Sequence, residues 1–585
     1  MLGFGFPALL ALLLMQPSIG SSPAVSLTLL CTAVLLALWL LGLLYWQRKT
    51  GTEFSVAFIP LAPHYVQTCV QILIYAYWGW YWRPIYDHAG LIVAQLALAY
   101  SLDMLLSLTR RRRWILGFGP FPIILSINLF LLFRPEWFYL QFVMVALGIL
   151  GKEFIRWERD GKNTHIFNPS ALSLFVFSLA LIVTGTTEWS FAEDIATTLN
   201  RPPHIYLQIF LLGLVVQGLF SVTLVTLMSA LALIGLNIAY TGFTGTYFFI
   251  DSNIPIAVFV GLHLLITDPA TSPRTAIGKA AFGVLYGTGV FLLYGLLDWL
   301  GAPTFYDKLL CVPLLNLMVP WIDAAARKLW SGSPGATRIY SEISAKANRV
   351  HMLAWIVVFS VMLGTAFVGR GHPGADIEFW SDACESELRN GCESLYRISR
   401  NDCAEDNVSA CLRAAELARS NPAVADPLER GKLLSHACDL GRLAACDEFR
   451  DFVATGGKNI LEDACVAGDN LGCFISGMVS MFGIGTPIDS PAAIASWGKA
   501  CEGREATACG FLGEAYLLGK NVDAAPETAA EYLDAACTLD YQPACTTLGL
   551  MYRRGHGVAA DDAKGRQLLD TACDSGWQPA CDNLQ

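Results

Sequence analysis

The residues with the most chemical potential stand in two short polar interruptions of long apolar runs. One is HIFNPSALSL, which sets His165, Asn168, Pro169 and Ser170 ahead of an apolar segment. The other is TDPATSPRT, Thr267–Thr275, which sets Asp268, Pro269, Thr271, Ser272 and Arg274 between two apolar segments. Asn, Asp and Ser side chains accept from the free N–H groups at a helix start, and Pro is favoured at the first helical position. Asn168–Pro169, Asp268–Pro269 and Ser272–Pro273 therefore predict helix starts. Such a start offers bare N–H groups and the positive end of a dipole to an anionic cofactor or substrate. Arg274 or Lys152 would add charge. The plainer alternative is a pair of capped turns joining spanning helices. No Ser–His–Asp, Cys–His or phosphate-loop arrangement appears, so neither an autonomous catalytic triad nor a metal site is expected.

The elements that must hold these motifs are set by composition. The chain has 585 residues, 54% of them hydrophobic and 15% charged, and a mean hydropathy of +0.47. That is too apolar for a soluble protein of this length and predicts many spanning helices. The net charge of −10 conceals two unlike parts. The first 370 residues or so carry the apolar runs. The remainder is acidic, soluble in composition and rich in cysteine. About 12 spans are predicted, near 26–46, 66–83, 89–108, 114–133, 137–151, 169–185, 206–220, 221–240, 254–267, 280–299, 308–323 and 351–369. Residues 2–16 are a further short apolar segment without a charged leader, readable as a short helix or an atypical signal.

Basic residues fix the orientation. They gather at Arg48–Lys49, Arg110–Arg113, Lys152 to Lys162, Arg274 to Lys279 and Arg327 to Arg349. With all five on the cytoplasmic side, every intervening number of spans is even, as it must be. Both motifs then face the cytoplasm, and everything after residue 370 emerges on the opposite side. Trp137, Trp157, Trp189, Trp299, Trp321 and Trp330 fall near span ends, where aromatic anchoring accounts for them. Asp103 and His263 are ionisable groups in or near spans and so functional candidates. Asp103 lies within sequence reach of the Arg110–Arg113 end. Nothing suggests nucleic-acid binding.

The strings HIFNPSALSLFVFSLALIVTG and LLITDPATSPRTAIGKAAFGVLYG resemble the B subunit of the Na⁺-translocating NADH:quinone reductase and the D subunit of the Rnf electron-transport complex. The resemblance covers roughly residues 50–325. It implies a membrane subunit that carries flavin and passes electrons, with His165, Asn168, Pro169, Ser170, Asp268, Pro269, Thr271, Ser272 and Arg274 near the cofactor. Family members link FMN covalently to a Thr in an S/T-G-A-T motif. None occurs here; the nearest string, Pro334–Gly335–Ala336–Thr337, has the wrong first residue and falls on the cytoplasmic side. The implied cofactor is therefore FMN or riboflavin held without a covalent bond.

Cysteine spacing organises the second part. Fourteen of 17 cysteines form seven pairs eight positions apart: Cys384/Cys392, Cys403/Cys411, Cys438/Cys446, Cys465/Cys473, Cys501/Cys509, Cys537/Cys545 and Cys573/Cys581. The last four pairs begin 36 residues apart, a period that predicts a helical solenoid. Each late unit reads A-C-x₇-C, then a pattern such as L-G-x-x-Y, a Gly-rich turn and a second helix. The first Cys ends one helix and the second opens the next, so a bridge across the turn staples neighbouring units. Zinc ligands come as shorter C-x₂₋₄-C pairs, so zinc is not expected. Seven pairs fit an oxidising compartment, in agreement with the charge-based orientation. His436 and His556 have no ligand-like spacing, and Cys31, Cys69 and Cys311 read as small apolar residues in spans. Residues 430–585 resemble cysteine-rich Sel1-like repeats, and 370–429 read as degenerate or capping helices of the same kind.

The expected fold is all-α: a polytopic bundle over 1–325, a basic cytoplasmic loop over 326–350, a last span at 351–369 and a disulfide-stapled α/α solenoid to the end. The expected location is a bacterial inner membrane with the solenoid in the periplasm. Expected partners are the lipid bilayer, other subunits of a membrane complex and a periplasmic protein bound by the repeats. Two other functions fit the same sequence: a small-solute transporter or channel, and a membrane-anchored scaffold.

Overall fold

The computed structural model describes residues 5–584 except 17–18, 20–21, 160, 251, 331–335, 370 and 521. Two compact units divide the chain, Met1–Asp376 and Ile377–Gln585. The structure is helical throughout, with two small two-stranded sheets as the exception to the all-α expectation.

In the first unit the main elements are α1 (Gly5–Leu13), α2 (Pro23–Thr50), β1 (Ser55–Phe58), α3 (Ala62–Tyr81), α4 (Ala89–Arg111), β2 (Arg113–Leu116), α5 (Pro120–Asn128) and α6 (Phe138–Phe154). There follow β3 (Arg156–Arg159), β4 (Lys162–His165), α7 (Pro169–Thr184), α8 (Ile205–Phe220), α9 (Thr223–Thr244), α10 (Ile256–Val260), α11 (Ala276–Trp299), α12 (Asp307–Trp330) and α13 (Ala336–Gly364). Helix α10 runs on as a π turn over Gly261–Leu265. Seven described helical stretches are long and apolar enough to cross a membrane: Pro23–Thr50, Ala89–Arg111, Pro135–Phe154, Thr223–Thr244, Ala276–Trp299, Thr304–Lys328 and Ala347–Gly364.

Several expected spans take another form. The 114–133 run is not one helix. It opens as β2, pairs in parallel with β1 from Ser55↔Arg113 to Phe58↔Leu116, and then forms only the nine-residue α5. Pro120 and Pro122 suit a helix start but would break an interior. Beyond Asn128 the chain stays buried without being helical, so its backbone groups need other partners. The Gln141 Oε1 accepts from the Phe133 N–H at 2.9 Å, and Leu132 O accepts from the Phe191 N–H at 2.8 Å. Asn128, Gln95 and Gln141 bond one another in the same core. The 254–267 run is likewise only α10 and its π turn. Helices α7 and α8 have 16 residues each, about 24 Å of helix against a hydrocarbon core of about 30 Å.

Apart from two short helices, Pro84–Asp87 and Ala192–Thr198, the order then repeats: α3, α4, short α5, α6 and α7 are followed by α8, α9, short α10, α11 and α12. Helices α9 and α11 pack closely through Gly283 and Gly287. A Cβ at Gly283 would lie 2.4 Å from Val225 O and one at Gly287 2.5 Å from Ser229 O. This G-x-x-x-G spacing lets two backbones approach in an apolar setting. The 326–350 stretch is not a loop: α12 runs to Trp330 and α13 begins at Ala336. Helix α13 also stops at Gly364, short of the expected 369.

The second unit is a run of helices: α14 (Ile377–Glu385), α15 (Gly391–Cys403), α16 (Val408–Ser420), α17 (Pro427–Asp439), α18 (Leu443–Phe452), α19 (Lys458–Val466), α20 (Asn470–Phe482), α21 (Ser490–Glu502), α22 (Ala506–Leu518), α23 (Pro526–Thr538), α24 (Gln542–Arg554), α25 (Asp562–Asp574) and α26 (Gln578–Asp582). All seven expected cysteine pairs are bridged: Cys384–Cys392, Cys403–Cys411, Cys438–Cys446, Cys465–Cys473, Cys501–Cys509, Cys537–Cys545 and Cys573–Cys581. Hairpins α20/α21, α22/α23 and α24/α25 pack through small residues. Gly477 lies against the Trp497 ring, Gly513 against Leu533 and Gly549 against the Gly565 carbonyl. Each bridge then joins the end of one hairpin to the start of the next, as the spacing predicts.

One detail of that expectation is corrected. The second cysteine of a late pair does not open its helix. Cys446 in α18, Cys473 in α20, Cys509 in α22, Cys545 in α24 and Cys581 in α26 each follow the helix start by three residues. The first turn of a helix brings such a residue back over its own start. Its sulfur thereby meets that of Cys438, Cys465, Cys501, Cys537 or Cys573, each in the last turn of the helix before. Helix α15 departs from the pattern in another way, stapled at both ends by Cys384–Cys392 and Cys403–Cys411.

Candidate functional site

The two motifs meet although about 100 residues separate them. Asn168 caps α7: its Oδ1 accepts from the N–H groups of Ser170 at 3.1 Å and Ala171 at 3.3 Å, and from the Ser170 hydroxyl at 2.7 Å. Pro169 takes the first helical position, as expected. The same Asn168 side chain donates through Nδ2 to Leu265 O at 3.0 Å. One residue thus satisfies the start of α7 and the end of the π turn.

The second motif does the opposite of what its prolines suggest. Asp268–Pro269 opens a turn and Ser272–Pro273 an irregular segment; helix α11 begins only at Ala276, capped by Thr275, whose Oγ1 accepts from the Gly278 N–H at 3.0 Å. The motif ends the preceding helix. The Thr267 hydroxyl donates to His263 O at 2.8 Å, and the Ser272 hydroxyl to Asp268 O at 2.7 Å and Ile266 O at 3.3 Å. The His263 and Ile266 carbonyls, with Leu265 O, are groups at a helix end that lack the next turn's N–H partners. The expected anion seats at the two starts are therefore already filled by the chain's own side chains.

Asn316 on α12 locks the pair. Its Oδ1 accepts from the Asn168 N–H at 3.1 Å, and its Nδ2 donates to Thr271 O at 3.3 Å. The β3/β4 hairpin sets His165 beside Asp268, Nε2 to Oδ2 at 3.3 Å. Asp268 also accepts from the Ala270 N–H at 2.9 Å and the Thr271 hydroxyl at 3.2 Å. Burial pushes the Asp268 carboxyl up, but His165 and these two donors outweigh it and hold it below its ordinary value. Arg274 is placed differently from the rest. Its N–H donates to Asp323, which also pairs with Arg159 and accepts from Thr275. Its guanidinium reaches Arg159 O at 3.4 Å. Arg274 and the buried Arg159–Asp323 pair brace the loop rather than line the space beside it.

That space is a cavity of about 320 Å³ bordered by His64, Gln67, Lys152, His165, Asn168 and Asp268 on its polar side, with apolar walls that include Ile123, Phe220 and Leu264. Strand pairing positions the newcomers: just beyond β1 the Ile59 N–H donates to Leu116 O, the end of β2, at 2.9 Å, and brings the start of α3 with His64 to the cavity. His64, Gln67, Asn316 and Asp323 have no motif signal in the sequence, and only the fold brings them in. Burial, then the nearby Lys152 ammonium, hold His64 below its ordinary 6.5, against the pull of Asp268.

The other sequence candidates are taken up by packing. The Asp103 carboxylate accepts from the Trp114 indole at 2.9 Å. The Arg110 and Arg111 side chains instead pair with Glu153. His263 is fully buried, with Nδ1 on Phe259 O at 2.8 Å and Nε2 accepting from the Trp355 indole at 3.3 Å. Both nitrogens are used and the ring is neutral. His436 lies within 4.8 Å of the Cys403 and Cys411 sulfurs, but these are bonded to each other and His436 pairs with Asp406 at 3.1 Å. The Pro334–Thr337 string lies outside the residues described with side chains.

A scan against protein-family models finds no match, and a search of curated proteins finds none either. Among solved structures, the chain is similar to a Sel1 repeat protein from Oxalobacter formigenes, at 26% identity over 21% of this chain and 94% of that one, with a TM-score of 0.21. It is similar to cysteine rich protein B of Helicobacter pylori, at 29% identity over 23% and 96%, TM-score 0.20. It is also similar to c5321, a protective antigen of uropathogenic Escherichia coli displaying an SLR fold, at 14% identity over 71% and 86%, TM-score 0.24.

Proposed function

We propose that the first unit is an inner-membrane electron-transport subunit of the kind its motifs resemble, Rnf-D/Nqr-B, with a flavin held without a covalent bond in the cavity between Asn168 and Asp268. The observation that carries this reading is the convergence of both resembling motifs on one cavity, through Asn168, Asn316 and the His165–Asp268 pair. The residues suit such a group: apolar walls for an aromatic body, and Lys152, His64 and Gln67 for its polar arm. A bound flavin would supply one- and two-electron transfer. The chain's own task is to seat it, keep water from the apolar walls and set the His165 imidazole against the Asp268 carboxylate. The second unit, on the far side of the membrane, binds a protein partner along its stacked hairpins. Other subunits of a complex supply and remove the electrons.

The test is an absorption spectrum of the purified full chain. Bands near those of oxidised flavin that bleach on dithionite addition, and that leave with the small-molecule fraction on denaturation, support the reading. A chain without chromophore overturns it. Thiol labelling in intact cells, with and without reductant, tests the placement of the second unit: free, labelled cysteines in 384–581 would sink it.

A transport reading has its own support in the two short helices, α5 and α10, which hold matching places in the two five-helix runs. Paired interrupted helices are a transporter feature. Solute flux in vesicles without a chromophore would favour it. A chain lacking both chromophore and flux, yet retaining its protein partner, would leave the scaffold reading.

A further inference from the structure

We infer that the cavity beside Asn168 and Asp268 takes a ligand with an apolar body and one oxyanion group, a phosphate or a carboxylate, whose charge is met by Lys152 and His64 rather than by the helix ends. The inference takes from the preceding section only that this cavity is the ligand site, and holds for ligands other than flavin.

The polar groups around the cavity divide into those already bonded within the chain and those left over. The N–H groups that a helix start would lend an anion are spent: those of Ser170 and Ala171 on Asn168, that of Ala270 on Asp268. The one carboxylate at the cavity, Asp268, is spent on His165, Thr271 and Ala270. Lys152, His64 and Gln67 border the same space and have no hydrogen-bond or ion-pair partner among the described residues. Lys152 lies in the last turn of α6, where a cation suits the helix dipole. That explains the sign of the charge, but not its lack of a partner. The neighbouring acid, Glu153, is occupied by Arg110 and Arg111. A partly buried ammonium with no bonded anion, beside an imidazole and an amide and facing apolar walls, gives the chamber a cationic, donor-bearing end. An oxyanion complements it by charge-assisted hydrogen bonds, and an apolar body fills the rest.

The experiment titrates the purified full chain in detergent with FMN, riboflavin, inorganic phosphate and benzoate. FMN should bind at least tenfold more tightly than riboflavin, which lacks the phosphate, and phosphate should compete. Lys152→Ala should weaken FMN at least tenfold and leave riboflavin within about twofold, while Lys152→Arg retains FMN. His64→Gln should weaken FMN to a lesser extent. Benzoate competing better than phosphate would assign a carboxylate, and the reverse a phosphate. Phosphate or benzoate binding that depends on Lys152, with neither flavin bound, upholds the oxyanion site and overturns the flavin reading. Flavins bound equally well, or FMN binding indifferent to both Lys152 variants, overturns the oxyanion site and leaves the flavin reading standing. Binding of no probe by a chain with an unchanged melting curve overturns the oxyanion site.

Discussion

The side-chain amide of Asn168 donates to the carbonyl oxygen of Leu265 at 3.0 Å while its own oxygen caps α7. One side chain therefore closes two helix termini that point at the same cavity. Each cap of this kind contributes about 1 kcal/mol, and a buried carbonyl left without a donor costs about 1–3 kcal/mol. Asn168→Ala should destabilise the first unit by about 2–4 kcal/mol on that basis. Asn168→Asp should keep the α7 cap but set a carboxylate against Leu265 O, and should lose as much or more. Thermal unfolding of the purified chain in detergent measures both.

Asn316 acts from a third helix on both motifs. Asn316→Leu, close in size but without donors or acceptors, should leave the Asn168 N–H and Thr271 O unpaired. The expected result is a lower melting temperature and weaker ligand binding together. A change in neither would mean that the two motifs hold their positions without it.

Gly283 lies where α9 and α11 touch. Its added Cβ would fall 2.4 Å from the Val225 carbonyl, a backbone atom that cannot swing aside. Gly283→Val should therefore force the helices apart and reduce the yield of folded protein sharply. Gly295→Val, where the nearest atom to a Cβ is the Phe248 ring at 3.5 Å, should be tolerated far better.

His372 gives the first unit a pH dependence. It is buried at 2% exposure, its Nδ1 accepts from the Gly374 N–H at 3.0 Å, and its Nε2 lies 2.8 Å from the Asn253 amide. Burial lowers its pKa from 6.5 to about 4. Between those values the unfolded chain takes up a proton that the folded chain excludes. The contribution is whole above pH 6.5 and is lost as the pH falls toward 4. The melting temperature should drop between pH 7.5 and pH 5, and His372→Gln should flatten that drop.

Each bridge in the second unit closes a short loop of eight-residue separation, which corresponds to roughly 2–3 kcal/mol from restriction of the unfolded chain. Replacing Cys501 and Cys509 together by Ala should cost about that much, because the bridge lies between hairpins α20/α21 and α22/α23. Replacing Cys384 and Cys392 should cost less cooperativity, since that bridge joins only the first two helices of the unit. Denaturant unfolding, followed by protease sensitivity of the two halves, distinguishes these outcomes.

The repeat half was legible from its cysteines. Equal spacing fixes which sulfurs meet, because a pair eight residues apart across a helix turn has no competing partner nearby, and all seven bridges follow. Where in the helix the second sulfur sits was less legible: Cys446, Cys473, Cys545 and Cys581 stand a turn inside, because the helix begins before them and the coil returns them to the bridge. The apolar half was legible as a set of helices, since burial of a helical face leaves a periodic trace in the sequence. Long-range pairing leaves no such trace. Pro after Asp or Ser marks a helix start in local statistics, yet in Thr267–Thr275 the unpaired carbonyls at the end of the preceding helix were the stronger demand, and the Thr267 and Ser272 hydroxyls answered to them. The strand pair β1/β2, the half-length helix α5 and the residues His64, Asn316 and Asp323 were likewise decided by neighbours far away in the chain. The sequence alone therefore determined which segments are apolar, which are stapled and where two polar motifs interrupt the apolar runs. Only the tertiary structure decided that those motifs spend their hydrogen bonds on each other, because satisfying buried backbone groups is a property of the whole packed unit and not of any stretch within it.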